Sequence, residues 1–294
     1  MARVARRYQS PEELSAALRA ESYLSDHGLA VALYLATELE RPLLLEGEPG
    51  VGKTEVARSL ARALGAKLIR LQCYEGIDAA QALYDWDYAA QLLYARVLQT
   101  GELAADDALE QLYDRRFLRE RPLLEAVQAG AQAVLLVDEL DRADDEFEAF
   151  LLETLSDFAV TIPELGTIAS GDGSRPLVIL TSNRTRELHD ALKRRCLYHW
   201  IDYPSEEREV EIIRLRAPGA DEQLARSVAH AVAWLRGLGL IKPPGAAEAI
   251  DWAAALATLG EKDVRGESAR ETLGLAVKNR EDLELAAARL GELE

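Results

Sequence analysis

Residues 47–54 read Gly47-Glu48-Pro49-Gly50-Val51-Gly52-Lys53-Thr54, and no other feature constrains the chain as much. The run fits G-x-x-x-x-G-K-[ST], and it stands where that pattern has a mechanism, between the apolar run RPLLLEG and the amphipathic run KTEVARSLARALG. In the second run Val56, Leu60 and Leu64 recur four apart on one helix face, and Gly65 supplies a helix end. Strand, glycine-rich turn and helix in that order let successive backbone N–H groups curl around phosphate oxygens at a helix N-terminus. Lys53 is then placed to reach the β- and γ-phosphates of ATP, and the Thr54 hydroxyl to meet Mg²⁺. Gly47, Glu48, Pro49, Gly50, Val51, Gly52, Lys53, Thr54 and the adjoining Glu55 form the candidate nucleotide-binding set. A turn that binds nothing has no use for Lys-Thr at that point.

Three more apolar runs follow: KLIRLQC, AVLLVDE and PLVILTSN. AVLLVDE is apolar without alternation, as a strand buried on both faces of a parallel sheet must be. It ends in Asp138 and Glu139, and open α/β sheets bind ligands at the C-terminal ends of their strands. Asp138 is the candidate metal ligand with Thr54, and Glu139 the carboxylate placed to polarise water. PLVILTSN ends in Asn183, whose amide orients water without titrating; a turn asparagine is the plain alternative. Ten to twelve residues on come Lys193, Arg194 and Arg195, part of a basic cluster with Arg184 and Arg186. A charge run of this kind is ordinarily a solvated face. Tyr23 and Leu24 precede an apolar helical stretch at 29–39 and read as core packing or as the edge of a base pocket.

Strand and helix signals alternate to about Tyr203 and stop after Pro204, where the stripe Leu224, Val228, Val232 and Leu235 opens a helical region. The expectation is an α/β doubly wound parallel sheet at 21–203, a lead-in helix at 1–20 capped by Ser10 and Pro11, and a helical domain at 204–294. Residues 74–120 carry 10 acidic and 4 basic residues and read as one or two helices inserted between core strands. No run of about 18 apolar residues and no signal-peptide pattern occurs, and two cysteines suit a reducing compartment, so the expected location is cytoplasmic. With 34 basic against 51 acidic residues the net charge is −17, which disfavours nucleic acid as a partner.

Taken in order, RPLLLEGEPGVGKTEVA, LIRLQCYEGIDAAQALYDWDY, VLLVDELDRADDEFEAFLLETLSDFAVTIPELGTI and VILTSNRTRELHDALKRRCLYHWIDYP resemble the MoxR group of AAA+ ATPases over nearly the whole chain. Within that group they are most similar to the CoxD-like branch, associated with maturation of molybdenum-containing carbon monoxide dehydrogenase. The resemblance implies a P-loop AAA+ fold with a C-terminal helical lid and a homo-oligomeric ring, a hexamer by that likeness, with ATP at each subunit boundary. It implies a protein client, with a molybdenum hydroxylase and a von Willebrand factor A domain protein as partners. By motif match Asn183 is the sensor-one residue and Arg195 the arginine finger, with Arg194 as the fallback. The stretch 74–114 matches the family's helical insert and TIPELGTI its β-hairpin insert. The chain departs at Lys242-Pro243-Pro244-Gly245-Ala246-Ala247-Glu248, where relatives carry a sensor-two arginine and this chain has none. Two other functions use the same loop: a nucleic-acid motor or clamp loader, and a nucleotide-gated protein that barely hydrolyses ATP.

Overall fold

A computed structural model of the chain describes residues 8–98 and 111–293. The basic residues Arg3, Arg6 and Arg7 and the middle of the insert, 99–110, lie outside the described residues. Two helices lead in, α1 (Pro11–Ala20) and α2 (His27–Leu39). Ser10 caps α1 by accepting from the Glu13 amide, and Pro11 occupies its first turn, as the sequence requires. The sheet begins with β1 (Leu43–Gly47), continues through α3 (Lys53–Leu64) to β2 (Lys67–Gln72), and resumes after the insert with β5 (Ala133–Asp138), β8 (Leu177–Ser182) and β9 (Leu197–Ile201). Its order is β2-β5-β8-β1-β9, and every neighbouring pair is parallel.

This order places β1 between β8 and β9, yet the chain leaves β1 for the far edge and works back. The C-terminal ends of β1, β5 and β8 therefore open on one crevice. Alternate residues of the central strands face opposite sides. Leu43 and Leu45 with Val134 and Leu136 pack toward Val56 and Leu60 of α3, while Leu44 with Leu135 and Val137 packs toward Ile69, Leu123 and Phe147. Both sides being dry, the strands read as continuous apolar runs.

The remaining strands carry weaker local signals. LYHWI of β9 lies at the sheet edge and is only partly buried, so it has no unbroken apolar run. The insert holds α4 (Ala79–Leu83) and α5 (Tyr88–Leu98), but β3 (Tyr84–Trp86) also pairs antiparallel with β4 (Leu118–Glu120), so it is not purely helical. Helices α6 (Pro122–Ala129) and α7 (Asp145–Asp157) flank β5, and the TIPELGTI stretch forms the hairpin β6 (Ala159–Ile162) and β7 (Gly166–Ala169). A short helix α8 (Asp190–Lys193) precedes β9.

Beyond Pro204 come α9 (Glu206–Arg216), α10 (Glu222–Gly237), α11 (Ala246–Thr258), α12 (Glu267–Thr272) and α13 (Arg280–Arg289), around a separate core of Leu224, Val228, Val232, Leu235, Trp252 and Leu256. No helix among the described residues is long and apolar enough to cross a membrane.

The helical part meets the glycine loop backbone to backbone. The Ala246 amide, opening α11, donates to Gly50 O at 3.1 Å. A Cβ on Gly245 would meet Gly50 Cα at 2.6 Å and its carbonyl carbon and oxygen at 2.7 Å. Only backbone lies there, and backbone cannot swing aside. Gly245→Ala should unseat α11 and cost about 1–3 kcal/mol, read as a lower denaturant midpoint and faster proteolysis at 203–205; an unchanged midpoint would show that the contact is loose.

Candidate functional site

The loop after β1 closes on its own lysine. Gly50 and Gly52 have φ of 80° and 96°, where a side chain would strain the turn, and a Cβ on Gly47 would lie 2.3 Å from Ile201 O. Lys53 opens α3, and its buried ammonium donates to Gly47 O and Glu48 O, both at 2.7 Å. Desolvation pulls its pKa down to about 8, partly opposed by Asp141, Glu48, Asp138 and Glu139. Arriving phosphate oxygens would replace two neutral carbonyls with charge.

Asp138, at the end of β5, is buried and receives donors from three other elements. Thr54 Oγ1 of α3 lies 3.1 and 3.2 Å from its two oxygens, Thr181 Oγ1 of β8 donates at 2.6 Å, and Arg70 of β2 donates through two nitrogens at 3.0 and 2.6 Å. A hard carboxylate beside a hydroxyl is the donor set Mg²⁺ takes while keeping waters. The guanidinium of Arg70 shows that this corner accepts a cation. Thr181 Oγ1 also accepts from the Glu139 amide at 2.9 Å, fixing Glu139 in a left-handed conformation with φ of 56°. The Glu139 carboxylate meets Arg142 Nε at 2.8 Å, a half-exposed pair that releases at little cost.

Asn183 follows β8 and is drawn to the same corner by its backbone. Buried Asp141 accepts from the Asn183 amide at 3.2 Å, the Thr185 amide at 2.8 Å and the Thr185 hydroxyl at 2.7 Å. The turn after β5 is thereby stapled to the turn after β8.

Beside the loop lies a cavity of about 630 Å³, within the range of small-molecule sites. Tyr23 and Leu24 form one side, Gly50, Val51 and Gly52 another, Tyr203 a third, and Ala246 and Ile250 of α11 close it. The Tyr23 ring packs beside Gly52, and burial raises its hydroxyl pKa. Glu55 also lines the cavity, with its carboxylate turned to Arg62 and Arg216 at 3.2 Å each, so it ties α3 to α9.

Residues 42–196 match the family described as AAA domain (dynein-related subfamily). The chain belongs to that family. It is also similar to the protein NorQ of Paracoccus denitrificans (strain Pd 1222), 25% identical over 76% of this chain and 74% of that one. Among solved structures, a mutant RuvB of Thermotoga maritima is matched at 17% identity with a TM-score of 0.50, over 94% of this chain and 75% of that one, a likeness that shows the fold alone. Another, described as the Thermotoga maritima RuvB Holliday junction branch migration motor, is matched at 18% identity and a TM-score of 0.46, over 84% and 67% of the two chains. The AAA+ resemblance is borne out; the CoxD-like branch is not singled out.

In this AAA domain Arg184 of the basic cluster comes to the base of the loop, its Nε 3.9 Å from the carboxylate of Glu46 just before Gly47, while the other members turn elsewhere. Arg186 pairs with buried Glu148, and Lys193 with Glu187 at 3.0 Å. Arg194 and Arg195 are exposed just before β9, where Leu197 lies opposite Leu43, while the loop begins beyond Gly47 opposite Ile201. Four strand steps, about 13 Å, separate the two ends of the sheet.

Sequence reading passed over Arg70, Thr181, Asp141 and Arg142. Arg70 alternates with buried Ile69 and Leu71 on β2, and that alternation was its one local signal.

Two expectations follow for the AAA domain. Arg70→Gln leaves a buried carboxylate without its cation, so the nucleotide-free protein should lose about 1–3 kcal/mol, and the rise in Tm on adding Mg²⁺ and ATP should exceed that of wild type; equal rises in both would remove Arg70 from the corner. Nucleotide affinity should be flat below pH about 8 and weaken by up to about tenfold per pH unit above it, because the bound phosphates require the charged amine that the empty loop has begun to lose. Titration with a fluorescent ATP analogue at pH 7, 8 and 9 checks this, and a flat profile would count against the lowered value.

Proposed function

We propose that the chain is an Mg²⁺-dependent ATPase of the MoxR group that assembles as a homo-oligomeric ring and remodels a client protein. The observation that carries this reading is the convergence of Lys53, Thr54, Asp138 and Glu139 at one crevice beside a 630 Å³ cavity. Lys53 and the loop amides hold the phosphates, and Tyr23 and Leu24 border the base. Thr54 and Asp138 hold Mg²⁺, which when bound offsets charge on the β- and γ-phosphates. Glu139 accepts a proton as the water oxygen bonds to the γ-phosphorus, Asn183 orients that water, and the bond to the bridging oxygen breaks to release ADP. Arg195, or Arg194 in its stead, stabilises the developing charge in the neighbouring subunit.

In this reading residues 1–20 lead into an ATPase core at 21–203, with its insert at 74–120, and 204–294 form the lid. The likeness to NorQ supports the MoxR placement. The CoxD-like features of the sequence extend it to a cytoplasmic maturation factor whose client is a molybdenum hydroxylase and whose partner carries a von Willebrand factor A domain. A nucleic-acid substrate is disfavoured by the charge of −17.

Lys53→Ala should abolish ATP binding, and Glu139→Gln should bind ATP with its turnover reduced at least about a hundredfold; wild-type turnover in both would sink the assignment. Arg195→Ala should bind ATP without hydrolysing it, and mixing it with Lys53→Ala should restore part of the activity, because a boundary then pairs one intact loop with one intact arginine. Normal turnover by Arg195→Ala alone moves the role to Arg194 or removes it. Oligomer size is measured on the same samples, with and without a non-hydrolysable analogue, and a monomer in both states would overturn the ring.

A further inference from the structure

Arg41 stands immediately before β1, in the turn where α2 ends at Glu40 in a left-handed conformation. Its guanidinium is spread over three consecutive carbonyls: Nε donates to Arg195 O at 3.3 Å, and one terminal nitrogen donates to Arg194 O at 3.2 Å and to Cys196 O at 3.3 Å. Next to it, the Leu197 amide donates to Pro42 O at 2.8 Å. These carbonyls follow α8, a four-residue helix whose last C=O groups have little chance of intrahelical partners. Arg195 itself is held from the other side, donating to Leu152 O at 3.3 Å and to the Ser156 hydroxyl of α7. A cavity of about 470 Å³ opens between these elements, with Arg41, Arg175, Arg194 and Arg195 on its wall. The backbone of the arginine-bearing turn is thus suspended from one planar fork, a task suited to a guanidinium and beyond an ammonium.

We propose that Arg41 is a positioning residue for ATP hydrolysis in the adjacent subunit: it fixes the turn 194–196 so that the arginine there reaches across the boundary. This rests on the trans reading of Arg194 and Arg195 given above. Arg41 touches neither the phosphate loop nor the base cavity of its own chain, so its loss leaves nucleotide binding intact. Misplacing an otherwise complete catalytic group by about 1 Å costs on the order of a hundredfold in rate.

The test is a complementation experiment on the full-length chain, with oligomer size measured in every mixture. Arg41→Ala should assemble with nucleotide, keep the KM for MgATP within about twofold, and lose about ten- to a hundredfold in kcat. Arg41→Lys, which keeps the charge and loses the fork, should fall between the two and serves as the folding-safe variant. Mixed with Lys53→Ala, Arg41→Ala should recover activity; mixed with Arg195→Ala it should not, because both lesions lie on the same side of the boundary. Recovery in the Arg41→Ala and Arg195→Ala mixture would overturn the proposal, as would a kcat within twofold of wild type for both Arg41 variants, or failure of both to assemble. The parent reading fails on different samples: if Arg194→Ala and Arg195→Ala both hydrolyse normally, no trans arginine exists, whereas an inactive Arg195→Ala beside an active Arg41→Ala removes the tether alone.

Discussion

The buried carboxylate of Asp138 is the point on which the crevice depends, because a charge taken out of water must be answered by donors, and every donor here comes from a different element. Thr54 brings the first turn of α3, Thr181 the end of β8, and Arg70 the edge strand β2, so one side chain on β5 ties down three other elements. Thr181 extends the arrangement by accepting from the Glu139 amide, and with it sets the left-handed turn that re-aims the next carboxylate. Losing any donor would leave residual charge in a dry corner. The bonds that hold Asp138 therefore also orient the residue beside it.

A second constraint couples the crevice to the helical part. Gly50 and Gly245 approach so closely that neither tolerates a side chain, and the amide of Ala246 spans the gap. Behind Gly245, Arg236 donates to Pro244 O at 2.8 Å, pairs through two bonds with fully buried Glu209, and lies over the Tyr203 ring at 4.4 Å. Burial raises the Glu209 pKa while Arg236 opposes the rise. One guanidinium thus ties the turn that presents Gly245 to a residue lining the cavity beside the loop. At the start of this helix the structure sets a backbone contact to the glycine loop.

Local pattern disclosed what local physics determines. The glycine loop, the buried strand ending in Asp138 and Glu139, and the stripe through Leu224 to Leu235 each need only their own residues to be recognised, and each is where the pattern placed it. The edge strand β9 and the small β3–β4 pair were missed because partial burial does not impose an apolar run on LYHWI or YDW. Arg70, Thr181, Asp141 and Arg41 were missed for a different reason. Each acts on a partner at least 42 residues away, the shortest being the bond from the Glu139 amide to Thr181 Oγ1 and that from the Asn183 amide to Asp141. No spacing rule along one strand or helix reports such a contact; it exists only once the sheet order is known.

The parallel sheet itself separates two groups of polar residues. With every strand running the same way, the loops at its C-terminal ends gather the phosphate loop, Asp138 and Asn183, while the loops at its N-terminal ends carry Arg41, Arg194 and Arg195. No bending of side chains brings the second group to the first within one chain, since the buried strands lie between them. On the proposed reading, a second copy whose N-terminal edge faces the crevice supplies what the first lacks, and the smallest complete catalytic unit is a pair of neighbours. That arrangement makes hydrolysis report on the contact between subunits. Work done on a client would then pass through the same boundary that completes the site.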